Sequence, residues 1–296
     1  MNINHLIIKN MNNRKTILSI MAVAMFLTAT AQRLIVRADD IGMTHAANIG
    51  VIKSYTDGMT TSAELMVVTP WLPEAVKMLN EHPGLDVGLH AAFTSEWETM
   101  KWRPLTHCPS LTDENGYFWP AVFPNPNYPG KSLMENKDNI NLAEFEAEYR
   151  AQIELAKKLL PRITHISGHM MWSFVSPEIA ASAERIATEY GLLYPDSPER
   201  MQKLGIESTP LAWGVKPEER EAKFIEALGK LEKGKTYLFV EHPAVGGEEM
   251  KGIFHKGYEN VSEDRQSVLD LFTSDRVKNI IKEKGIELVS YGQLIK

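Results

Sequence analysis

Four places in this chain set a carboxylate or an imidazole directly behind a short apolar run. Leu34-Ile35-Val36 leads to Arg37-Ala38-Asp39-Asp40, and the run from Leu85 to Leu89 ends at His90. The run from Ile163 to Ser167 carries His165 and leads to Gly168-His169, and Thr236 to Val240 runs into Glu241-His242-Pro243. Asp and His suit a borderline divalent cation, and a catalytic cation usually takes three protein ligands and keeps a position open for water. Such a cation acidifies the water and polarises a carbonyl oxygen. A second carboxylate beside it can act as general base, and a histidine across the cleft as general acid. Asp39 and Asp40 are neighbours, so their side chains point differently and one can ligate while the other takes a proton. Any one of these groups alone is readily a satisfied structural residue. The set together points to a site, because parallel α/β folds gather the C-terminal ends of their strands on one face.

The elements that must position these groups alternate along the chain. Ser62 to Val68 reads as a further strand, Leu192 to Tyr194 is strand-like, and Glu287 to Ser290 is the last strand. Helical spacing runs from Met43 to Tyr55, Trp71 to Leu79, Pro177 to Tyr190, through Phe224, Ile225, Leu228 and Leu231, and from about Glu263 to Lys284. The clearest helix repeats Leu142, Phe145, Tyr149, Ile153, Ala156 and Leu160 at three- and four-residue steps, and Asn141 with Glu144 resembles a capping box. Strand and helix in alternation imply a parallel sheet or barrel. No internal repeat or linker divides the chain, so residues 32–296 read as one domain. Between about Thr94 and Asn139 repeated prolines disfavour regular structure, while aromatic residues argue against disorder. In that stretch Trp102, Tyr117, Trp119 and Tyr128 either stack on a sugar face or pack the loop onto the fold.

The composition narrows the class. The chain has 296 residues, 44% hydrophobic and 24% charged, with a formal net charge of -6 and no dense basic block. That balance excludes a phosphate-backbone partner, which would call for clustered Lys and Arg. The one cysteine, Cys108, permits neither an internal disulfide nor a cysteine-based zinc site. Asn12-Asn13-Arg14-Lys15, the apolar run from Ile17 to Leu27 and the small-x-small Ala29-Thr30-Ala31 read as a secretory signal peptide over residues 1–31. The run is short for a bilayer span, so the mature chain is expected to carry none and to be exported to the periplasm or the medium. Cleavage is expected before Gln32, and N-terminal sequencing of exported material reads this directly.

The polar clusters also resemble those of a known family in order and wording. Arg37-Ala38-Asp39-Asp40-Ile41-Gly42 is similar to the Asn-Ala-Asp-Asp-Phe-Gly opening of the YdjC-like (ChbG-type) carbohydrate deacetylases. Asn48-Ile49-Gly50, Gly58-Met59-Thr60-Thr61-Ser62, Asp86-Val87-Gly88-Leu89-His90, Thr164-His165-Ile166-Ser167-Gly168-His169 and Glu241-His242-Pro243 follow in that family's order. The resemblance covers nearly all of the mature chain. It implies an irregular (β/α) barrel with parallel strands and hydrolysis of an N-acetyl group on a sugar or oligosaccharide. It also implies one divalent metal ion, Mg or Zn, held by Asp40, His90 and His169. By the same match Asp39 is the expected base, and His242 is similar to the histidine that the wider polysaccharide-deacetylase group uses as acid. Arg37 stands where the family usually has Asn, and is expected to pair with an aspartate or to contact substrate, with Trp102 and Trp119 as further substrate contacts. The family's usual His-x-Asp-Ser-His-x-His segment reads His165-Ile166-Ser167-Gly168-His169-Met170-Met171, without the acid and the trailing histidine. If that acid orients a ligand histidine, Ser167 or a water must stand in for it. His45, His82, His107 and His255 lie outside these motifs and read as surface or structural residues. Two rival readings stay open: another metal hydrolase on a barrel, such as an amidohydrolase or phosphoesterase, and a non-catalytic glycan-binding protein. The sequence leaves homo-oligomerisation open.

Overall fold

The computed structural model describes residues 31–212 and 214–294. The expected signal peptide over residues 1–31 lies outside the described residues except for Ala31.

The apolar runs form one sheet. Its strands are β1 (Arg33–Ile41), β2 (Ser62–Leu65), β3 (Asp86–Ala91), β4 (His165–Gly168), β5 (Ile206–Ser208), β6 (Thr236–Glu241) and β7 (Glu287–Leu288). They lie in the order β4-β3-β2-β1-β6-β5, and every pairing is parallel. β6 pairs one edge of β1 from Arg33 to Ala38. The other edge is shared: β7 pairs Arg33 and Leu34, and β2 takes over at Arg37. No pairing joins β4 to β5 among the described residues, so the sheet is a half-barrel, the irregular form of the expected barrel.

Parallel neighbours need crossovers, and helices supply most of them. α1 (His45–Thr56) follows β1, α2 (Leu72–Glu81) follows β2, and α3 (Leu142–Leu159) precedes β4. α4 (Pro177–Glu189) and the short α5 (Pro198–Lys203) lead to β5, and α6 (Arg220–Leu228) leads to β6. After β6 come α7 (Glu248–Lys251), α8 (Val261–Thr273) and α9 (Asp275–Glu283), and α10 (Tyr291–Leu294) follows β7. Leu34, Val36, Ala63, Leu65, Val87, Leu89 and Ile166 of the sheet are fully buried in one core with Phe145, Ile153, Ile186 and Phe272 of the helices. At the start of the segment after β3, the Phe93 ring lies 4.6 Å from Phe145 and 4.9 Å from Trp172.

Several features differ from expectation. The helix expected over 263–284 is two helices, because Ser274 takes an extended backbone and its hydroxyl caps α9 at Val277 N–H. The strand expected at Leu192–Tyr194 is a single bridge from Leu193 to His165. α5 and β5 were not expected, since their stretch lacks a long periodic run. The capping box at α3 is half formed: Asn141 Oδ1 accepts from Ala143 and Glu144 N–H, but the Glu144 carboxylate turns to Ser110 N–H.

The segment from 92 to 141 is irregular apart from 3₁₀ turns at Pro109–Leu111 and Lys137–Asn139. Glu148 on α3, wholly buried, ties it down by accepting from the Leu105 and Thr106 N–H groups and the Thr106 hydroxyl. Cys108 is buried here, and burial together with Glu148 pushes its thiol up to about 12, which leaves it inert at neutral pH.

Candidate metal centre and cavity

β1 delivers two aspartates to one place by breaking its own alternation. A regular strand would send Asp39 and Asp40 to opposite faces. The pairing of β1 with β2 runs Arg37↔Ser62 and Ala38↔Ala63 and then slips to Ile41↔Leu65, so β1 carries an extra residue. Asp40 takes up that slack with φ 71°, a left-handed conformation rare outside glycine, asparagine and aspartate. The next turn is held from α1, where Asn48 Oδ1 accepts from Gly42 N–H at 2.7 Å. Gly42 sits at φ 108°, and a Cβ there would stand 2.7 Å from the Met66 carbonyl oxygen. Gly50 lets α1 lie against the segment that follows His242: its Cβ would come within 2.5 Å of Ala244 Cα.

The predicted ligands meet at the C-terminal ends of the strands. Asp40, His90 and His169 are all buried and form the cluster of metal-capable groups found among the described residues. His90 Nε2 lies 3.6 Å from Asp40 Oδ1, His169 Nδ1 lies 3.5 Å from that same oxygen, and the two ring nitrogens are 3.3 Å apart. Bonds of about 2.0–2.2 Å in a tetrahedral site put donor atoms about 3.3–3.6 Å apart. Asp40 Oδ1 is buried and has no hydrogen-bond partner. A buried carboxylate oxygen left bare costs free energy, and a cation in front of it would remove that cost. The residues therefore fit a divalent metal ion.

The charges around the cluster are set by partners that the sequence reading missed. Arg265 on α8 donates from Nη2 to Asp40 Oδ2 at 2.8 Å. Burial alone would raise the Asp40 carboxyl, but Arg265, His242 and His169 outweigh it and hold the group well below the usual carboxylate range. Glu96, in the irregular segment, accepts from His169 Nε2 at 3.0 Å. Burial would depress His169, but Glu96 and Asp40 push its proton affinity up to about 10. Burial brings His90 down to about 4, so its ring is neutral at neutral pH.

A pH dependence follows. A cation that binds His169 Nδ1 must displace the proton held there up to about pH 10. Metal affinity is expected to rise about tenfold per pH unit from pH 6 to 9, with about one proton released per ion. Calorimetry in buffers of different ionisation enthalpy measures that proton, and a pH-independent affinity contradicts it. In the metal-free chain the sign is opposite. A raised folded-state value gives stability that is full below the ordinary value of 6.5 and is lost as pH rises through about 10.

The other predicted residues sit at or near this cluster. Asp39 Oδ2 lies 3.7 Å from His90 Nε2, and Arg37 grips Asp39 with Nε to Oδ1 at 2.8 Å and Nη2 to Oδ2 at 2.9 Å. Arg37 thus forms the ion pair with an aspartate, and it also lines the cavity above. His242 lines that cavity about one-third exposed. Burial opposes its proton, but Asp40 and Glu241 raise its affinity above the ordinary histidine value. Trp102 and Trp119 are not among the cavity-lining residues. Trp102 is buried behind His169, ring centroids 6.0 Å apart, and donates to the Thr94 carbonyl. Trp119 packs against the core. The cavity has a volume of about 660 Å³, and its aromatic wall is Trp97, Tyr258 and His255. His255, expected to be a surface or structural residue, thus belongs to the wall. Met170 and Met171, the residues after His169, both hold positive φ at the rim, and Met171 is half exposed.

Known proteins resemble the chain over this same span. The model of the family described as YdjC-like protein matches residues 33–283. A carbohydrate deacetylase from Thermus thermophilus is 33% identical, the match covering 72% of this chain and 77% of the relative. Carbohydrate deacetylase 2 of Listeria innocua is 28% identical and covers 89% of this chain and 99% of its own length. A crystal structure from Enterococcus faecalis V583, described as a cellobiose-phosphate cleavage protein, superposes with a TM-score of 0.69 at 24% identity. It covers 89% of this chain and 99% of its own, and shares the fold.

Proposed function

The chain belongs to the YdjC-like protein family, and from that premise we propose that it hydrolyses the N-acetyl amide of a sugar with one divalent cation held by Asp40, His90 and His169. The observation that carries the reading is the bare, buried Asp40 Oδ1 facing two imidazole nitrogens at 3.5 and 3.6 Å on the floor of an open cavity. A divalent cation bound there would supply Lewis acidity toward the acetyl carbonyl and toward water.

The chain's own residues supply the proton transfers. Asp39 stands beside the ligands and accepts the proton of the attacking water. Arg37 fixes the plane of that carboxylate through two parallel hydrogen bonds, so the base is held in one orientation. The water oxygen bonds to the acetyl carbon, the carbon–nitrogen bond breaks, and acetate and a free amine form. His242, whose proton affinity Asp40 and Glu241 raise against the effect of burial, gives its proton to the departing nitrogen. Asp40 itself takes no proton, because Arg265 occupies its second oxygen and holds its charge.

One carboxylate with two imidazoles, at 3.3 to 3.6 Å, suits zinc better than magnesium, whose octahedral ligands stand about 2.9 Å apart. Metal analysis of protein purified without chelator tests this: about one zinc per chain is expected. Two ions per chain would favour the phosphoesterase-type reading instead. The cavity volume of about 660 Å³ falls within the range of about 300–1,000 Å³ usual for small-ligand sites, which suits a short N-acetylated saccharide.

A further inference from the structure

We propose that Glu64 is a positioning residue for His90, acting through Ser167, and that it fixes which ring nitrogen His90 presents to the metal. The inference rests on the reading of His90 as a metal ligand given above.

The geometry is a closed chain of buried polar groups. His90 Nδ1 lies 2.8 Å from Ser167 Oγ, and Ser167 donates to Glu64 Oε2 at 2.6 Å. The other Glu64 oxygen meets His165 Nε2 at 2.5 Å. Glu64, His165 and Ser167 are wholly buried, and His90 is 2% exposed.

The directions of the hydrogen bonds follow from how many protons each group has. Glu64 as a carboxylate can only accept, so the single Ser167 proton goes to Glu64. Ser167 must then accept from His90, which puts the His90 proton on Nδ1 and leaves the Nε2 lone pair toward Asp40 and His169. Without a committed acceptor behind it, the serine hydroxyl can turn and donate to Nδ1. The ring proton then moves to Nε2 and occupies the metal-facing position. Ser167 alone does not choose between these tautomers, and Glu64 does.

The sheet is arranged to permit this contact. Register places Glu64, Gly88 and His165 in one row across β2, β3 and β4, and His90 with Ser167 in the next row. Glu64 and His165 meet across the gap at Gly88, where a Cβ would lie 2.4 Å from His165 Nε2 and 2.6 Å from Glu64 Oε2. The Gly-Leu-His motif therefore carries its glycine as a passage for this pair. The carboxylate that the β4 segment lacks, where Ser167 stands, is supplied from β2.

The test uses two single variants and one rescue, read by metal affinity and by ¹⁵N NMR of the His90 ring in metal-free protein. Glu64→Gln and Ser167→Ala are each expected to weaken zinc binding by about 10- to 100-fold and to move His90 away from the Nδ1–H tautomer. Glu64→Gln combined with Ser167→Asp places a carboxylate directly on His90 Nδ1 and is expected to restore both readouts. Ser167→Ala leaves the Glu64–His165 pair intact, so it decides the matter if Glu64→Gln fails to fold. Folded variants with unchanged zinc affinity and an unchanged Nδ1–H ring overturn the proposal. If His90→Ala binds zinc as tightly as wild type, the ligand reading fails instead, while the tautomer of the variants still tests the relay.

Discussion

Asp40→Asn is expected to lower metal affinity by at least about two orders of magnitude and acetate release by about three or more. Asparagine keeps the shape of the side chain but removes the one charge in the ligand set. That charge serves two cations. Oδ1 is the bare oxygen of the proposed metal centre, and Oδ2 takes the Arg265 guanidinium at 2.8 Å. Arg265 is buried beneath Trp97, its guanidinium 5.3 Å from the ring centroid. Neutralising Asp40 leaves that buried charge uncompensated, which costs about 3 kcal/mol of stability. Loss of activity could then be mistaken for loss of fold. Adding Arg265→Met to Asp40→Asn separates the two: stability should return while metal affinity does not. A stable Asp40→Asn protein that binds zinc like wild type would refute the ligand assignment.

Asp39→Asn should behave differently. It is expected to reduce kcat by about two orders of magnitude or more while leaving zinc binding within a few-fold of wild type. Asp39 stands 3.7 Å from His90 Nε2 but outside the cluster of metal-capable groups, and its two oxygens answer to Arg37. Asparagine can still accept one of the Arg37 hydrogen bonds, so the side chain stays in place and only its basicity is removed. Full activity in this variant would remove Asp39 from the role of base. Equal loss of activity and of zinc would make it a ligand instead.

The parts of this molecule that sequence displays well are those in which one residue type repeats a local rule. The apolar runs of β1, β3 and β6 announce themselves, and so do polar residues stranded at their ends, while the choice of Asp40, His90 and His169 among those residues came from the family resemblance. α3 was readable from its apolar repeat. What could not be read depends on contacts made across the fold. Arg265 reaches Asp40 from a helix 225 residues further along. Glu96 lies in a segment without periodicity, so nothing marked it apart from neighbouring acids. Glu64 left a visible trace, a charge inside the apolar run from Ala63 to Val68, but its partner could be identified only from the strand register. The slip that turns Asp40 into the cavity is a pairing irregularity between β1 and β2 and leaves no mark in composition. The aromatic loop was legible only in part. Its tryptophans left sugar stacking and packing both open, and Trp102 is buried in packing while the cavity wall falls to Trp97, five residues earlier in the chain.

The central claim joins a metal to an N-deacetylase activity, and one experiment addresses both. Acetate release is measured from a panel of N-acetylated mono- and oligosaccharides with the protein as purified, after chelation, and after zinc is restored. The account predicts release from at least one member of the panel, its loss on chelation, and its return at about one zinc per chain. Release that is indifferent to chelation, or a zinc-loaded protein that frees acetate from none of the panel, would contradict it.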